Sequence, residues 1–253
     1  MRSIIYDGVS KQYNSKSGMA VNHLCAEIRK GEFITILGSS GCGKTTLLKL
    51  TNRLLNPDKG RILIEGEDIS GTDPVLLRRR MGYVIQEAGL FPHLTIRDNI
   101  SVIPRIMKWE KNKIRLREDE LLKMVGLDPS EFGSRYPHQL SGGQQQRVGL
   151  ARALVMDPDI MLMDEPFGAI DALTRAVLQD ELKKIHGGLG KTFLLVTHDI
   201  NEAFRLGNRV MVMNQGKLLQ FDSPEKIIRH PADTFVRELI ESARSREEFW
   251  KNV

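Results

Sequence analysis

The stretch that decides the fold is Phe33–Arg53, which reads FITILGSSGCGKTTLLKLTNR. Its first five residues, Phe33–Leu37, are mostly apolar and predict a buried strand, and the residues from Thr46 to Arg53 predict a helix. Between them, Gly38–Thr45 matches the pattern G-x-x-x-x-G-K-[ST] in the strand–loop–helix context that this pattern requires. Such a loop surrounds a phosphate with backbone N–H groups at the start of a helix. The sequence therefore predicts a phosphate site on an α/β fold.

Three more short apolar runs are typical of strands that are buried on both faces of a parallel sheet. They are Tyr83–Ile85, Ile160–Met163 and Phe193–Val196. Each run is followed at once by polar residues that could do chemistry, namely Gln86, Asp164-Glu165 and Thr197-His198. Ligands bind outside the carboxyl ends of the strands in such sheets, so we expect these residues and the glycine loop to serve one site.

The rest of the chain predicts an inserted helical part and antiparallel strands at both ends. Residues 88–157 have a helical pattern, and Gly126 follows one apolar face as a natural helix stop. That face consists of Ile114, Leu121, Leu122 and Val125. The start of the chain, up to about Ile28, alternates and predicts antiparallel strands. Near the end, a three-residue loop at 214–216 predicts a hairpin, and a helix is expected from about Asp233.

Composition and charge limit the function classes. The chain has 253 residues, 41% hydrophobic and 27% charged, which is typical of a globular protein. No run approaches the length of a membrane span and the N-terminus lacks a signal-peptide core, so we expect a cytosolic protein. The net charge of +5 could indicate nucleic-acid binding. We expect no nucleic-acid partner, because short basic runs such as Arg78–Arg80 are not interleaved with aromatic residues. Cys25 and Cys42 are too few for a zinc site or a disulfide scaffold.

Two motifs supply the residues expected to handle a nucleoside triphosphate and its Mg²⁺. Lys44 should reach the β- and γ-phosphates, and the Thr45 hydroxyl should ligate Mg²⁺. Asp164 is placed to hold Mg²⁺ through its water shell, and Glu165 could polarise an attacking water. Alone, an acidic pair after a strand would more often be a helix cap or a solvated turn. The phosphate loop on a neighbouring strand favours the chemical interpretation.

The run Leu140–Gln144, LSGGQ, predicts a second phosphate site. Ser141 and Gln144 have the spacing of a capping box at a helix start. A cap does not explain the two glycines, Gly142 and Gly143, each of which costs a helix up to about 1 kcal/mol relative to alanine. Bare backbone at a helix N-terminus is expected where an anion must approach closely.

With these motifs in this order, the chain resembles the ATP-binding cassette family over essentially its whole length. The resemblance implies a P-loop NTPase with a mostly parallel core sheet, an N-terminal antiparallel β-subdomain and an inserted α-helical subdomain. We expect one domain over residues 1–253, with the core formed by 1–87 and 158–253 and the helical subdomain by 88–157.

The same resemblance implies a head-to-tail homodimer that encloses two ATP molecules, with Mg²⁺ as the metal. Expected ATP contacts are Tyr13 under the adenine, then Gly38, Ser39, Ser40, Gly41, Cys42, Gly43, Lys44, Thr45 and Thr46, with Ser141, Gly142, Gly143 and Gln144 acting on the ATP of the other subunit. Gln86 would contact Mg²⁺ or the attacking water, Asp171 would cross the dimer interface, and His198 would contact the γ-phosphate. Lys44, Gln86, Glu165 and His198 are the expected catalytic residues.

Within the family, the chain looks most like the ATPases of bacterial importers for glycine betaine, carnitine, choline and related osmoprotectants. The runs that carry this likeness are Thr51–Leu54, Met81–Gln86, Gly89–Thr95 and Glu165–Gly168. They occur less completely in importers for polar amino acids, which remain an alternative. Two further alternatives are a soluble cassette ATPase acting on DNA or ribosomes, and a module that binds nucleotide without hydrolysing it.

The importer interpretation implies a location on the cytoplasmic face of the membrane, a permease and, indirectly, an extracytoplasmic solute-binding protein. The segment Glu87–Arg105 would receive the permease. Its expected contact residues are Leu90, Phe91, Pro92 and Leu94, which are apolar residues in a loop. The alternative is that they pack the helical part against the sheet.

Overall fold

The computed structural model describes residues 2–14, 18–86, 88–168 and 170–251. Glu87, in the expected permease segment, and Ala169, in the turn before Asp171, lie outside the described residues. The chain divides into two compact units, one formed by Met1–Leu77 and Thr192–Val253 and the other by Arg78–Lys191. No helix within the described ranges is long and apolar enough to cross a bilayer.

Strands and α-helices alternate along most of the described chain. The strands are β1 Arg2–Lys11, β2 Val21–Arg29, β3 Phe33–Gly38, β4 Lys59–Ile64, β5 Glu67–Asp68, β6 Met81–Val84, β7 Ile160–Asp164, β8 Thr192–Thr197, β9 Arg209–Asn214 and β10 Lys217–Asp222. The helices are α1 Lys44–Thr51, α2 Pro74–Arg79, α3 Ile96–Ile106, α4 Lys111–Met124, α5 Pro129–Phe132, α6 Gly142–Leu154, α7 Ala172–Leu189, α8 Ile200–Leu206, α9 Pro224–Arg229 and α10 Thr234–Lys251.

The first unit contains the antiparallel sheet that the alternating N-terminal sequence predicts, in the order β2-β1-β4-β5. It also contains β3, which lies between β8 and β9 and runs parallel to both. Every residue of β3 and of β8 is buried, as expected for apolar strands covered on both faces. Leu37 at the end of β3 pairs with Thr197 at the end of β8, so the loops that follow these two strands start side by side.

The hairpin of β9 and β10 corrects one detail of the prediction. Asn214 pairs with Lys217, so the loop has two residues, Gln215 and Gly216, where the sequence predicted three. Both loop residues have positive φ, 47° and 78°, as a tight two-residue hairpin turn requires. The helix expected from about Asp233 begins at Thr234.

The second unit pairs β6 with β7 in parallel and places α3 to α6 between them in sequence. The predicted apolar face of α4 is buried, and Gly126 has the positive φ of a helix stop, 69°. A buried ion pair, from Arg97 on α3 to Glu118 on α4 at 3.3 Å, joins the two helices. Strand β6 ends at Val84, so Ile85, which the sequence placed in the strand, is exposed. The predicted class is confirmed: an α/β fold with mostly parallel core strands, an antiparallel N-terminal sheet and a helical insert.

Candidate nucleotide-binding site

Two glycines of the phosphate loop lie where a side chain would clash with the backbone. A Cβ at Gly38 would lie 2.1 Å from the Met213 carbonyl oxygen, and one at Gly43 would lie 1.9 Å from that of Ala20. Gly41 and Gly43 also have positive φ, 76° and 107°. Helix α1 begins directly after Gly43, two residues earlier than predicted. The loop backbone is thus fixed by close neighbours and leads into a helix N-terminus, which favours anions.

Lys44 is folded back over the loop that it follows. The residue is only 4% exposed. Its Nζ donates to the carbonyl oxygens of Gly38 at 2.8 Å and Ser39 at 2.9 Å. An ammonium group has three N–H donors, and these bonds use two of them. The loop therefore positions a cation at its own centre.

The phosphate loop is also bonded to the turn between β9 and β10. Ser39 Oγ lies 3.3 Å from Asn214 Oδ1 at the β9–β10 turn. The Cys42 carbonyl accepts from the Gly216 amide at 3.0 Å, and burial raises the pKa of the Cys42 thiol. Ser40 is exposed, and Thr45 is half-buried in the first turn of α1. The hairpin turn thus supports the phosphate loop, which sequence reasoning did not predict.

Tyr13 lies beside the start of α1. Its hydroxyl is 3.1 Å from Thr46 Oγ1, although Tyr13 lies 33 positions earlier in the chain. The residue is 58% exposed, so part of its ring is available for stacking. The structure thus brings together Tyr13 and Thr46, two of the residues expected to contact ATP.

His198 follows β8 and is exposed at the end of that strand. Two local bonds shape its turn: the Asp199 amide donates to Thr197 Oγ1 at 3.0 Å, and Asp199 caps α8 through the Asn201 amide at 2.8 Å. Thr197 also bonds to the buried carboxylate of Glu202. Because Thr197 pairs with Leu37, His198 and Gly38 both follow the same end of adjacent strands.

The second unit carries the acidic pair at the end of β7. Asp164 is buried. The pKa of Tyr83 is raised to about 12, chiefly by burial of its phenol and to a lesser extent by the negative charge of Asp164. Glu165 has a positive φ of 45°, which is uncommon for a residue with a side chain and marks a constrained turn.

Gln86 and Glu165 come together around Gly168. A Cβ at Gly168 would lie 3.9 Å from Gln86 Nε2 and 4.0 Å from Glu165 Oε2. The amide after β6 and the carboxylate after β7 therefore both lie near the same point beside Gly168.

The capping box at Leu140–Gln144 is confirmed. Ser141 Oγ accepts from the Gln144 amide at 3.3 Å, and Gln144 Oε1 accepts from the Ser141 amide at 3.0 Å. Gly142 is exposed, whereas Gly143 is buried against α7, where an added Cβ would lie 2.7 Å from Thr174 Cγ2. Close helix packing is thus a second reason for glycine at position 143, one that sequence reasoning missed.

Asp171 is the cap of α7. Its carboxylate accepts from the Thr174 amide at 3.0 Å, and this bond holds the pKa of the carboxyl below its usual range. The side chain is exposed, and it remains available to a partner.

The loop expected to contact a permease is held from inside its own unit. Phe91 is 43% exposed and Pro92 is also exposed, whereas Leu90 and Leu94 are half-buried. Buried Asn99 accepts from the Phe91 amide at 2.7 Å and donates to the Phe91 and Leu94 carbonyls, each at 3.1 Å. Arg152 donates to the Ala88 and Gly89 carbonyls, each at 2.8 Å, and burial lowers its pKa. Sequence reasoning gave no signal for Asn99 or Arg152.

Comparison with known proteins adds a family and close relatives. Residues 21–168 match the family model described as ABC transporter. The chain is 52% identical over 237 residues to the glycine betaine/carnitine/choline transport ATP-binding protein OpuCA of Bacillus subtilis, covering 93% of this chain and 62% of that protein. It is 48% identical over 237 residues to the glycine betaine uptake system ATP-binding protein YehX of Escherichia coli, covering 94% of this chain and 76% of that protein. The chain thus spans less than two thirds of the Bacillus relative.

Solved structures with the same fold include two that carry further information. An ATP-binding cassette solved as a dimer in a post-hydrolysis state with ADP and Pi is 35% identical, with a TM-score of 0.77, covering 87% of this chain and 98% of that one. The structure of cbiO1 from Clostridium perfringens, part of an ABC transporter complex, is 28% identical, with a TM-score of 0.84, covering 100% of this chain and 99% of that one.

Proposed function

The chain belongs to the ABC transporter family, and on this premise we propose that it binds and hydrolyses ATP to drive a separate membrane permease. The observation that carries the proposal is the phosphate loop, where buried Lys44 is held at 2.8 and 2.9 Å by the loop's own carbonyls at a helix N-terminus. This arrangement presents backbone donors and one cation to an anion. The ADP and Pi bound to the related cassette support the assignment of that anion as ATP.

Tyr13 is the expected adenine contact, and it lies beside Thr46, another residue expected to contact ATP. Tyr13 is tied to Thr46 at 3.1 Å, which holds an exposed ring near the start of α1. A ring held in this way can stack on a base without losing much conformational freedom when the nucleotide binds.

Glu165 is the proposed general base. The constrained turn that gives it a positive φ aims its carboxylate at the space shared with Gln86. In that position Oε2 can accept a hydrogen bond from a water and polarise it for attack on the γ-phosphate. Gln86 would orient the same water, and His198 would donate to a γ-phosphate oxygen.

The donor set fits Mg²⁺. The Thr45 hydroxyl, the Gln86 amide oxygen and the buried Asp164 carboxylate are hard oxygen ligands, which Mg²⁺ prefers. No cluster of three or more His, Cys, Asp or Glu side chains that could hold a metal occurs among the described residues. When bound, Mg²⁺ would neutralise charge on the phosphate oxygens.

The active unit in this proposal is a head-to-tail homodimer. Ser141, Gly142 and Gln144 are exposed or half-buried at the start of α6, where their helix N-terminus can receive phosphate from another subunit. Asp171 is exposed at the adjacent α7 start. The dimeric form of the related cassette supports this assembly. The chain would then lie on the cytoplasmic face of the membrane, through its permease.

The proposed solute is a quaternary-amine osmoprotectant such as glycine betaine, carnitine or choline. Identity of 52% and 48% with ATP-binding proteins of such systems supports it. A second candidate is a polyamine, because the chain is 46% identical over 221 residues to the spermidine/putrescine import ATP-binding protein PotA of Chromobacterium violaceum.

The deciding experiment is uptake by cells that lack their own carriers and express the chain with its permease and solute-binding protein. We expect labelled glycine betaine or choline to accumulate, and spermidine and amino acids to stay out. Accumulation of spermidine alone would support the second candidate. ATP hydrolysis without uptake of any solute would favour a cassette ATPase outside transport.

A further inference from the structure

The turn between α3 and α4, with the residues on either side, exposes large apolar side chains; we call residues 105–116 the α3–α4 tip. Ile106 at the end of α3 is 63% exposed, and Leu116 on α4 is 72% exposed. Met107, between them, is also exposed. Leu116 points away from the unit because Ile114 and Glu118, two positions on either side, are buried. Apolar side chains this exposed indicate a contact surface.

The tip is also strongly cationic. It contains five basic residues, Arg105, Lys108, Lys111, Lys113 and Arg115, and one acidic residue, Glu110. The acids that flank Leu116 on α4 already have partners: Asp119 lies 2.6 Å from Arg97, and Glu120 lies 2.9 Å from Arg117. Arg105 is paired with Asp98 on α3. The remaining cations, Lys108, Lys111, Lys113 and Arg115, outnumber Glu110 and leave the tip with a net positive charge.

The tip is a folded structure with a fixed backbone. The Trp109 amide donates to the Pro104 carbonyl at 3.0 Å, and Lys113 Nζ lies 4.3 Å from the centre of the Trp109 ring. Arg97 ties the two helices together through buried Glu118. Ile106, Met107 and Leu116 are thus displayed on a rigid base.

We propose that the α3–α4 tip binds the surface of an anionic lipid bilayer. Exposed aliphatic side chains and a tryptophan among lysines and arginines are the features with which proteins lie at a membrane interface. The cations would contact lipid phosphates while the apolar ends enter the headgroup layer. Lysine and arginine stems add apolar area of their own. The mixture of exposed apolar side chains and cations favours a layer of anionic headgroups as the partner.

Binding of the α3–α4 tip to lipid would not depend on nucleotide, and it would add to the attachment of the chain to the membrane through a permease. It can be tested on the purified full chain by co-flotation with vesicles of phosphatidylcholine alone or of equal phosphatidylcholine and phosphatidylglycerol. We expect binding to the anionic vesicles only. The double substitution Lys108→Gln/Lys111→Gln should weaken it roughly 25-fold, about fivefold for each cation removed. The control Lys59→Gln/Lys217→Gln removes the same charge from exposed positions in the other unit and should bind normally.

Apolar insertion has its own variant, Ile106→Ser/Leu116→Ser, which should lose the part of binding that survives high salt. Thermal unfolding and ATP hydrolysis of each variant, measured without lipid, should match the unmodified chain, which separates this proposal from that of ATPase function. Equal binding by the tip variants and the control would overturn the proposal. So would absence of vesicle binding combined with tip-dependent binding to a solubilised permease, which would assign the tip to a protein partner.

Discussion

Gly143 packs directly on Thr174, since a Cβ at Gly143 would lie 2.7 Å from Thr174 Cγ2. The Thr174 amide in turn donates to Asp171 at 3.0 Å. One threonine of α7 therefore meets both the Leu140–Gln144 run and the residue expected at the dimer interface. Glycine is needed at position 143 because Thr174 packs against it. In the proposed function, glycine there also leaves the backbone open to phosphate.

Two substitutions separate these reasons. Gly143→Ala should lower the free energy of unfolding by about 1–3 kcal/mol because the new methyl group overpacks the helix contact. Adding Thr174→Ser removes Cγ2 and should restore stability in denaturant titrations. Phosphate release should stay slow in the double variant if the bare backbone also receives phosphate. Gly142→Ala is the control. Because Gly142 is exposed, this variant should keep its stability, but its phosphate release should be slow. A Gly143→Ala chain as stable as the unmodified one would contradict the packing argument.

Lys44→Ala should weaken ATP binding roughly 10- to 100-fold, the range expected for losing one hydrogen bond from a charged group. Equilibrium binding of a fluorescent ATP analogue measures this directly. Lys49→Ala, which removes a cation from the last turn of the same helix, is the matched control. Equal affinities for the two variants would refute the role of Lys44.

Tyr13 should act through its ring. Tyr13→Phe removes only the hydroxyl bonded to Thr46 and should leave ATP affinity within about twofold. Tyr13→Ala should weaken ATP binding roughly 5- to 150-fold, the range for loss of base stacking. Tripolyphosphate, which has no base, provides the check: its affinity should be the same in all three proteins. A tripolyphosphate affinity that falls with Tyr13→Ala would place the residue on the phosphates instead.

Substitutions at Phe91 and at Asn99 should distinguish coupling to the permease from stability of the fold. Phe91→Ser should leave the basal ATP hydrolysis of the isolated chain unchanged and lower its melting temperature only slightly, because the residue is 43% exposed. It should reduce permease-dependent uptake. Asn99→Ala should lower the free energy of unfolding by about 1–3 kcal/mol, because it leaves part-buried backbone groups of the 91–95 loop without their side-chain partner. Normal uptake with Phe91→Ser would remove Phe91 from the permease contact.

Local chemistry explains what the sequence could predict. The phosphate loop, the Ser141–Gln144 capping box and the polar ends of β3, β7 and β8 follow from short-range patterns, and the structure contains all of them. Their boundaries shift by a residue or two where a helix or strand end depends on neighbours, as at Ile85. Such shifts are set by packing that a linear pattern does not contain.

The parts that could not be predicted depend on residues far apart in sequence. Thr174 against Gly143, Asn99 inside the loop at Phe91, and Arg152 on the Ala88 and Gly89 carbonyls are tertiary contacts with no periodic signal. The positive φ of Glu165 is likewise imposed by its surroundings, since glutamate has no preference for that conformation. These contacts position the residues whose identities the sequence did predict.

The most direct test of the central claim is phosphate release by Glu165→Gln in Mg²⁺ and ATP, with the association state followed by size-exclusion chromatography. We expect a fall in turnover of about 100-fold or more, the contribution of a general base, together with an ATP-dependent dimer that the unmodified chain forms only transiently. Normal turnover by Glu165→Gln, or loss of ATP binding along with turnover, would contradict it.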